Sequence, residues 1–404
     1  MTDPIPKPAP TMPSSSAPLP LKLTLLSIAS LTIMAGTIVA PSLPAIRQIF
    51  SDAPQAELLS RMVLTLPAIF VALFAPLAGV LADRYGRKRL LIAAILLYAL
   101  SGMSGLVAGS LTAVLVGRAA LGLAIGAIMT IGAALVGDYF DGEERARYLG
   151  LQQASTQFGG VLFVIAGGLL ADLDWRAPFA VYGLALLVLP AAMLYLAEPA
   201  KTRAAGAGPE PANWNWPLIG MICLLAFLIN VLFYTVPAQF SFFLRDLGLD
   251  RPSLAGWGIG ILNAVAAATA LAYGRLRGRL GITGIFALCP ALMALGFFGL
   301  SGSSDVAPVF LAGAVIGLGL GPVIPNIISA AIQAAPQAGR GRVTGLVTSS
   351  MFLGHFISPI ASQPVIERAG YSGLYLVVAV LLGGIALCSL AAALTQARKR
   401  PQEV

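Results

Sequence analysis

The sequence predicts an all-α membrane protein in which twelve transmembrane helices form two pseudo-symmetric six-helix bundles. Three observations predict this class. The composition is 58% hydrophobic and only 10% charged, whereas soluble domains carry about 25% charged residues. Apolar runs of about 20 residues recur, as helices crossing a bilayer require, and barrel strands would instead alternate over about 10 residues. The two halves of the chain also share a spaced pattern of glycines and arginines.

Twelve apolar segments form the predicted spans. They cover residues 23–46, 58–82, 90–109, 111–137, 147–171, 177–196, 217–243, 253–276, 282–301, 306–334, 342–366 and 371–395. No A-x-A cleavage site follows the first segment, so we retain it as a span rather than a signal peptide. The stretch APSLP, Ala40 to Pro44, predicts a break near its end.

These segments divide the chain into five regions. Residues 1–20, rich in Pro and Ser, are expected to form a disordered cytoplasmic tail. The longest connection contains the Gly, Pro and charged residues typical of a linker. The expected regions that follow the tail are an N-terminal six-helix bundle (21–197), a cytoplasmic linker (198–216), a C-terminal six-helix bundle (217–396) and a second cytoplasmic tail (397–404).

The distribution of basic residues predicts the orientation in the membrane. Placing both termini in the cytoplasm puts 18 of the 25 Lys and Arg residues on that side and six, including Arg61, on the other. Arg118 alone remains inside a span. This bias follows the positive-inside rule. The net charge of +8 therefore indicates membrane orientation and not a nucleic-acid partner, because the bases cluster in short turns between apolar runs.

The two halves repeat at a constant offset of 195 residues. The matched pairs are Gly79 with Gly274, Leu81 with Leu276, Arg84 with Arg279, Gly86 with Gly281, Gly122 with Gly317, Gly126 with Gly321, Arg145 with Arg340, Arg147 with Arg342, Gly150 with Gly345 and Gly159 with Gly354. Six spans per unit restore the starting orientation, so the halves form a parallel repeat. In transporters with such repeats, the halves rock about a site near the middle of the membrane.

A charge knot, GVLADRYGRKRL (Gly79 to Leu90), separates spans 2 and 3. Its glycines permit a tight turn, and its bases favour the cytoplasmic side. Asp83 can pair with Arg87 or lie against the positive N-terminus of another helix. The alternative is that the knot only orients the chain, although orientation needs bases and no acid at this spacing.

The charge knot matches the motif G-x-L-a-D-R-x-G-R-[KR] of the major facilitator superfamily, which the chain resembles over nearly its whole length. The resemblance implies that this loop latches the two halves in the outward-open state, with Asp138, in GDYF, as a partner of Arg87. The latch residues it implies are Gly79, Asp83, Arg84, Gly86, Arg87 and Asp138. In the weaker copy, GRLRGRLG, Gly278 replaces the acid, and Gln333 stands at the position equivalent to Asp138, so the acidic latch is expected in one half only.

Arg118 lies in the stretch GRAALGLAIGAI of span 4. A buried arginine is costly unless it is paired or faces a water-filled cavity. The motif R-x-x-x-G of the drug:H⁺ antiporter branch fits this stretch, and the resemblance implies a role for Arg118 in proton coupling and cavity electrostatics. The alternative is a structural arginine whose guanidinium is capped by backbone carbonyls.

The chain has no obvious midmembrane carboxylate, because its 17 acidic residues lie in loops or at span ends. His355, the sole histidine, lies about 20 Å into its span and could carry a proton. We favour a neutral His355 in a helix interface, because no acid is placed to partner an imidazolium. Coupling could also use Arg118 and water, or a substrate that carries its own proton. Span 5 departs from the antiporter signature, with Phe163 and Val164 in place of a Gly-Pro pair.

Polar and aromatic side chains within the spans define a candidate substrate cavity. The resemblance places this cavity between spans 1, 4, 7 and 10, with contributions from spans 5, 8 and 11. The candidates are Thr37, Gln153, Gln157, Phe227, Asn230, Tyr234, Asn263, Asn326 and Ser329. Each polar residue could instead hold helices together. Without an acid, the cavity suits a neutral or anionic amphipathic solute better than a cation.

These features predict a secondary active transporter that exports small organic molecules with proton coupling, as a monomer in the cell inner membrane. The alternatives are an uncoupled or substrate-proton-coupled transporter of metabolites such as sugars or organic acids, and a sensor that keeps the fold without transport. A membrane enzyme is not indicated, because no H-E-x-x-H, G-x-S-x-G or phosphate-binding loop occurs. The three cysteines lack metal-ligand spacing, and we expect no metal and no cofactor.

Overall fold

The computed structural model describes residues 18–140, 142–198, 214–336 and 339–399, without the side chains of 142, 143, 146, 153, 154 and 396–399. All regular structure in these ranges is helical, which confirms the predicted fold class. Most of the predicted tails and linker lies outside the described residues.

The first six spans correspond closely to the predicted segments. They are Leu19–Ile49, Ala56–Tyr85, Arg87–Leu106, Leu111–Tyr139, Arg147–Leu173 (within the helix Gly142–Leu173) and Ala177–Tyr195. The next four spans are Trp216–Asp246, Pro252–Leu271, Tyr273–Ser301 and Val306–Ala334. We number them 1 to 10 in chain order. We call the side where spans 1 and 7 begin the terminal face, and the other side the opposite face.

The last helical stretch, Arg340–Lys399, contains two spans. Its 60 residues would extend about 90 Å as one straight helix, roughly three times the thickness of the hydrocarbon core. Gly370 interrupts it with φ 67° and ψ −173°, a left-handed φ that glycine adopts without a steric penalty. Residues 340–369 and 371–399 therefore form spans 11 and 12, so the eleven long apolar segments of the described chain contain the twelve predicted spans.

Spans 1 and 7 are both broken at equivalent positions of the repeat. In span 1 the helix Leu19–Thr37 gives way to a 3₁₀ turn, Ala40–Ser42, and a second helix, Leu43–Ile49. In span 7 the helices Trp216–Phe233 and Thr235–Asp246 flank Tyr234. Prolines just after each break lack the N–H that would continue the helical bonding. The sequence predicted the first break but not the second.

Glycines pack the two halves in the same way. A Cβ on Gly122 of span 4 would lie 2.5 Å from the Pro67 carbonyl oxygen of span 2. At the equivalent position of span 10, a Cβ on Gly317 would lie 2.4 Å from the Leu262 carbonyl oxygen of span 8. Only a residue without a side chain allows this approach of two backbones. The sequence repeat is therefore also a repeat of helix packing.

The two halves meet along spans 2 and 11 and along spans 5 and 8. Where the seam between spans 5 and 8 reaches the opposite face, a Cβ on Gly168 would lie 3.0 Å from the Pro252 carbonyl oxygen. The Ser253 backbone N–H donates to Asp172 Oδ1 across the same seam, at 3.0 Å. Six hydrogen bonds join the two bundles at the opposite face. The protein is therefore closed at the opposite face.

Candidate functional site

Arg118 is buried among backbone carbonyls that helix interruptions leave without partners. It is 1% exposed. Its Nε donates to the Val63 carbonyl oxygen at 2.7 Å, which Pro67, four residues later, cannot bond because it has no N–H. Its Nη2 donates to the Ala35 carbonyl oxygen at 2.8 Å, in the last turn of the first helix of span 1, where carbonyls lack intrahelical partners.

Tyr182 of span 6 completes this arrangement. Arg118 Nη1 donates to the Tyr182 hydroxyl oxygen at 2.7 Å, and that hydroxyl donates to the Ala35 carbonyl oxygen at 3.1 Å. All these partners belong to the first bundle, so Arg118 joins spans 1, 2, 4 and 6 where span 1 breaks. This geometry matches the carbonyl-capped alternative from the sequence.

His355 lies in a helix interface with span 7. Its Nε2 lies 2.9 Å from Asn230 Oδ1, and Asn230 Nδ2 donates to the Ala226 carbonyl oxygen at 2.7 Å. The Tyr234 ring stacks on the imidazole with 4.1 Å between centroids. Since Oδ1 can only accept, the imidazole donates through Nε2 and needs no second proton to make this bond. The arrangement fits a neutral histidine.

The breaks of spans 1 and 7 face each other across the two bundles. The Tyr234 hydroxyl lies 3.6 Å from the position of a Cβ on Gly36. Thr37, one residue further along span 1, donates its hydroxyl to the Ile33 carbonyl oxygen of its own helix at 3.1 Å. Phe227 is half-buried. It lies one turn before Asn230 and two turns before Tyr234. Thr37, Phe227, Asn230, Tyr234 and His355 therefore lie around the two breaks.

The remaining cavity candidates lie in different surroundings. Gln157 and Asn263 are half-buried, and neither amide has a hydrogen-bond partner among the described residues. Ser329 is also half-buried, and the side chain of Gln153 lies outside the described part of the chain. Asn326 is fully buried. Its Nδ2 donates to the Ile282 carbonyl oxygen at 3.0 Å. This bond joins span 10 to span 9, as in the alternative in which a polar residue holds two helices together.

Gln157 and Asn263 lie along the seam between spans 5 and 8. A Cβ on Gly256 would lie 2.8 Å from the Val164 carbonyl oxygen, and one on Gly260 would lie 2.8 Å from Ile165. Asn263 follows one turn later on the same face of span 8, and Gln157 lies two turns before Val164 on the matching face of span 5. Both amides thus lie on the terminal side of the tight glycine contacts.

The charge knot is an ion-pair cluster of the first bundle. Arg87 Nη1 bonds Asp138 Oδ2, and its Nη2 lies 3.4 Å from Asp83 Oδ1. Gly86 has φ 100° and its repeat partner Gly281 has φ 65°. The charge knot and its weaker copy in the second half therefore both turn at a glycine with positive φ. The guanidinium of Arg84 lies 5.4 Å from the centroid of the Tyr85 ring. Gly79 packs against span 4, where its Cβ would lie 3.6 Å from Thr130.

Glu198 binds the charge knot, a contact that the sequence did not predict. Its two carboxylate oxygens accept the backbone N–H groups of Arg87 and Lys88 at 2.6 and 3.0 Å. These N–H groups begin the helix of span 3 and have no intrahelical acceptors. A Cβ on Gly86 would lie 3.1 Å from this carboxylate. Glu198 follows the knot by more than 100 residues, so no local spacing revealed it.

Arg61 is a second site residue that the sequence did not predict, and its position corrects the assignment of basic residues. The positive-inside count placed it outside the spans on the opposite side, whereas it lies within the helix Ala56–Tyr85 and is 0% exposed. It bonds Glu57 of its own helix, at 3.0 Å, and Gln239 of the second bundle, at 2.6 Å. The spacing Glu57-x-x-x-Arg61, which aligns two charges on one helix face, was the available signal.

The described residues contain no group of three His, Cys, Asp or Glu side chains that could hold a metal ion. Cys223, Cys289 and Cys388 are free thiols in separate spans.

Comparison with known proteins identifies the family. The sequence profile of the Major Facilitator Superfamily matches residues 25–359 and 222–403. The chain is 23% identical over 333 residues to the bacillibactin exporter of Bacillus subtilis (strain 168), covering 77% of this chain and 81% of that protein. It is 23% identical over 351 residues to the multi-drug resistance efflux pump PmrA of Streptococcus pneumoniae serotype 4, covering 84% and 87%.

A solved structure has the same fold. The bacterial homolog of the human lysosomal transporter Spinster, in an inward-facing and occupied conformation, superimposes with a TM-score of 0.74 at 16% identity, covering 95% of this chain and 98% of that one.

Proposed function

Because this chain belongs to the major facilitator superfamily, we propose that it is a proton-coupled exporter that moves small organic molecules across the membrane by alternating access. The observation that carries this proposal is the meeting of two repeat-related helix breaks at the bundle interface, where Tyr234 reaches Gly36. Broken helices at a repeat interface form the substrate site of many secondary transporters. Both bundles belong to one chain, so we propose that a monomer carries out the cycle.

The side chains near the breaks and the seam favour a neutral or anionic amphipathic substrate. The available groups are the amides of Gln157 and Asn263, the Ser329 hydroxyl and the rings of Phe227 and Tyr234. None of them attracts a cation by charge. Amides and hydroxyls supply both donors and acceptors, and aromatic rings bury apolar area. Polar residues in a bilayer usually face such an interior.

The orientation gives the direction of access. The excess of Lys and Arg supports a cytoplasmic terminal face, so closure at the opposite face corresponds to a state accessible from the cytoplasm. An exporter binds its substrate from that side. The similarity to an exporter and to an efflux pump favours export over uptake. We place the protein in the cell inner membrane with both termini in the cytoplasm.

The experiment is transport by purified protein in liposomes loaded with a pH-sensitive dye. Metabolites and antibiotics are first screened for thermal stabilisation, and each stabilising compound is then tested for uptake into these liposomes under an imposed pH gradient. We expect uptake of at least one compound with counter-movement of protons. Transport without proton movement would replace the coupled function with the uncoupled alternative, and stabilisation without transport would replace it with a sensor.

A matched pair of variants on span 7 links transport to the proposed site. Tyr234→Ala removes the ring that stacks on His355 and reaches Gly36. Leu224→Ala is the control, because Leu224 lies almost three turns before Tyr234 in the same span and is 56% exposed. We expect Tyr234→Ala to reduce transport about tenfold or more while Leu224→Ala has little effect. Equal effects of the two substitutions would place the substrate elsewhere.

A further inference from the structure

Arg61 forms an ion pair within its own helix. Its Nη2 donates to Glu57 Oε1 at 3.0 Å, and its Nη1 donates to the Glu57 backbone carbonyl at 2.8 Å. Glu57 also accepts from Arg47 Nη2 at 3.1 Å, on the exposed side. All three residues belong to the first bundle. The charge of Arg61 is therefore paired inside that bundle, whatever the position of the second one.

The same guanidinium also binds two separate parts of the second bundle. Its Nε donates to Gln239 Oε1 in span 7 at 2.6 Å, and its Nη2 donates to the Tyr371 hydroxyl, at the turn between spans 11 and 12, at 3.1 Å. It also lies 4.6 Å from the centroid of the Phe242 ring, within cation–π range. Gln239 Nε2 donates to Ser362 Oγ of span 11 at 2.8 Å, which orients the amide toward Arg61.

We infer that the Arg61 cluster, formed by Arg61, Glu57, Gln239, Phe242 and Tyr371, is the reversible contact that holds the opposite face closed. This inference rests on the proposed alternating-access function. Opening that face separates Arg61 from the second bundle. The partners it loses, Gln239, Phe242 and Tyr371, are all neutral, and the partner it keeps is the carboxylate of Glu57.

This division of partners makes the contact reversible. Separating a buried ion pair would leave two unpaired charges, which is strongly unfavourable. Here two charge-assisted hydrogen bonds, to an amide and a hydroxyl, and one cation–π contact break. Water entering the opened face can replace both hydrogen bonds. Arg61 is thus a positioning residue of the transport cycle, and its burial in the closed state sets it apart from the exposed arginines around it.

Arg245 of the second bundle also contacts the first bundle, and it contributes less to closure of the opposite face than Arg61 does. Its Nη1 donates to the Pro44 carbonyl oxygen at 3.3 Å and its Nη2 to Gln48 at 3.0 Å. The Arg245 side chain is 36% exposed, so water competes for these bonds. Each bundle therefore contributes one arginine to the other, and the buried one is Arg61.

The test measures closure directly, without a substrate. Asp172→Cys and Ser253→Cys place a reporter pair across the seam of spans 5 and 8, in a background where Cys223, Cys289 and Cys388 are replaced by Ser. The rate of crosslinking by a short bifunctional thiol reagent reports how often the opposite face is closed. The reporter lies outside the Arg61 cluster, so all variants are compared with the same pair.

Two substitutions of Gln239 should act in opposite directions. Gln239→Ala removes the Nε acceptor, and we expect crosslinking to slow about tenfold. Gln239→Glu creates a charge pair across the bundles, and we expect faster crosslinking together with transport slowed about tenfold, because the face now opens against an ion pair. Tyr371→Phe removes one hydroxyl and should slow crosslinking less than Gln239→Ala does. Arg47→Gln is the control, because Arg47 binds Glu57 without reaching the second bundle.

The outcomes separate this inference from the proposed function. If both Gln239 variants crosslink at the rate of Arg47→Gln while remaining folded by thermal melting, the Arg61 cluster does not control closure and the inference is wrong. If crosslinking changes as expected but the parent protein moves no solute, the inference stands and the transport function fails. Tyr371→Phe retains its ring packing, so it tests the inference even if a Gln239 variant fails to fold.

Discussion

Arg118 Nε donates to the Val63 carbonyl oxygen at 2.7 Å, and that carbonyl is available because Pro67 has no N–H to bond it. The same principle recurs at the closed face. Ser241 Oγ donates to the Ala40 carbonyl oxygen at 2.9 Å. Pro44 cannot supply the i+4 bond to that oxygen, which also accepts the Leu43 N–H of the 3₁₀ turn. In a membrane, an unpaired carbonyl costs several kcal/mol, so the Val63 carbonyl needs a donor from another helix.

Arg118→Met should lower stability strongly, and Pro67→Ala should partly restore it. The methionine fills space but leaves the Val63 carbonyl without a donor, at about 1–3 kcal/mol, whereas the Ala35 carbonyl keeps the Tyr182 hydroxyl as its donor. Alanine at position 67 supplies an N–H that can bond Val63 within the helix and should recover about 1 kcal/mol. Thermal melting of the single and double variants in detergent measures both effects.

A double-mutant cycle shows whether the two substitutions are coupled. Pro67→Ala should stabilise the protein more in the Arg118→Met background than in the parent, where Arg118 already occupies the Val63 carbonyl. Pro190→Ala in span 6 is the control, because Arg118 has no contact with that proline, and its effect should be the same in both backgrounds. Equal effects of Pro67→Ala in the two backgrounds would contradict the proline-linked role.

Gly321→Ala and Gly126→Ala should differ although they are repeat partners. A Cβ on Gly321 would lie 2.1 Å from the Ala266 carbonyl oxygen, whereas one on Gly126 would lie 3.3 Å from Val71 and Ala75. The first substitution forces spans 8 and 10 apart and should cost about 1–3 kcal/mol. The second gains helix propensity worth about 1 kcal/mol, which offsets a small shift. Melting temperatures that fall equally would show that the packing is less tight in span 10 than its distances indicate.

The features that the sequence predicted can be read from single segments or from the comparison of one segment with another. Single segments show the apolar runs of span length and the charge knot, and the comparison shows the repeat at 195 residues. A bilayer leaves few structures for such segments to form. The repeat predicted more than topology, since Gly122 and Gly317 pack against equivalent backbones in their halves. Asp83 was predicted as a partner of Arg87 from the residues themselves, whereas Asp138 followed from the resemblance to the family.

The contacts that the sequence could not predict join residues far apart in the chain. Glu198 reaches the start of span 3 only because span 6 ends beside it. The partners of Arg118 depended on which helices pack around it, so the sequence left both a functional and a carbonyl-capped arginine open. Arg61 was misassigned because a base near a span end looks the same in sequence whether it faces water or a partner bundle.

His355→Gln should preserve both stability and the pH dependence of transport. The imidazole bonds Asn230 Oδ1 through Nε2 at 2.9 Å, and a glutamine amide can donate to the same oxygen. His355→Leu removes the donor and leaves that buried oxygen unpaired, which should cost about 1–3 kcal/mol. Proteoliposome transport measured from pH 5.5 to 8, about the range in which histidine titrates, distinguishes the roles. Loss of pH dependence in the stable glutamine variant would assign proton transfer to His355.

Asp83→Asn should slow transport without changing stability. The Asp83 side chain is 69% exposed and lies 3.4 Å from Arg87 Nη2, and such an exposed pair contributes at most about 0.5 kcal/mol. If the charge knot latches the bundles when the terminal face closes, the acid acts in the other state of the cycle, and its loss should lower the transport rate several-fold. Asp250→Asn is the control, because Asp250 is 65% exposed and loosely paired with Arg245 at the opposite face. Equal transport rates in the two variants, with unchanged melting temperatures, would reduce the knot to an orientation signal.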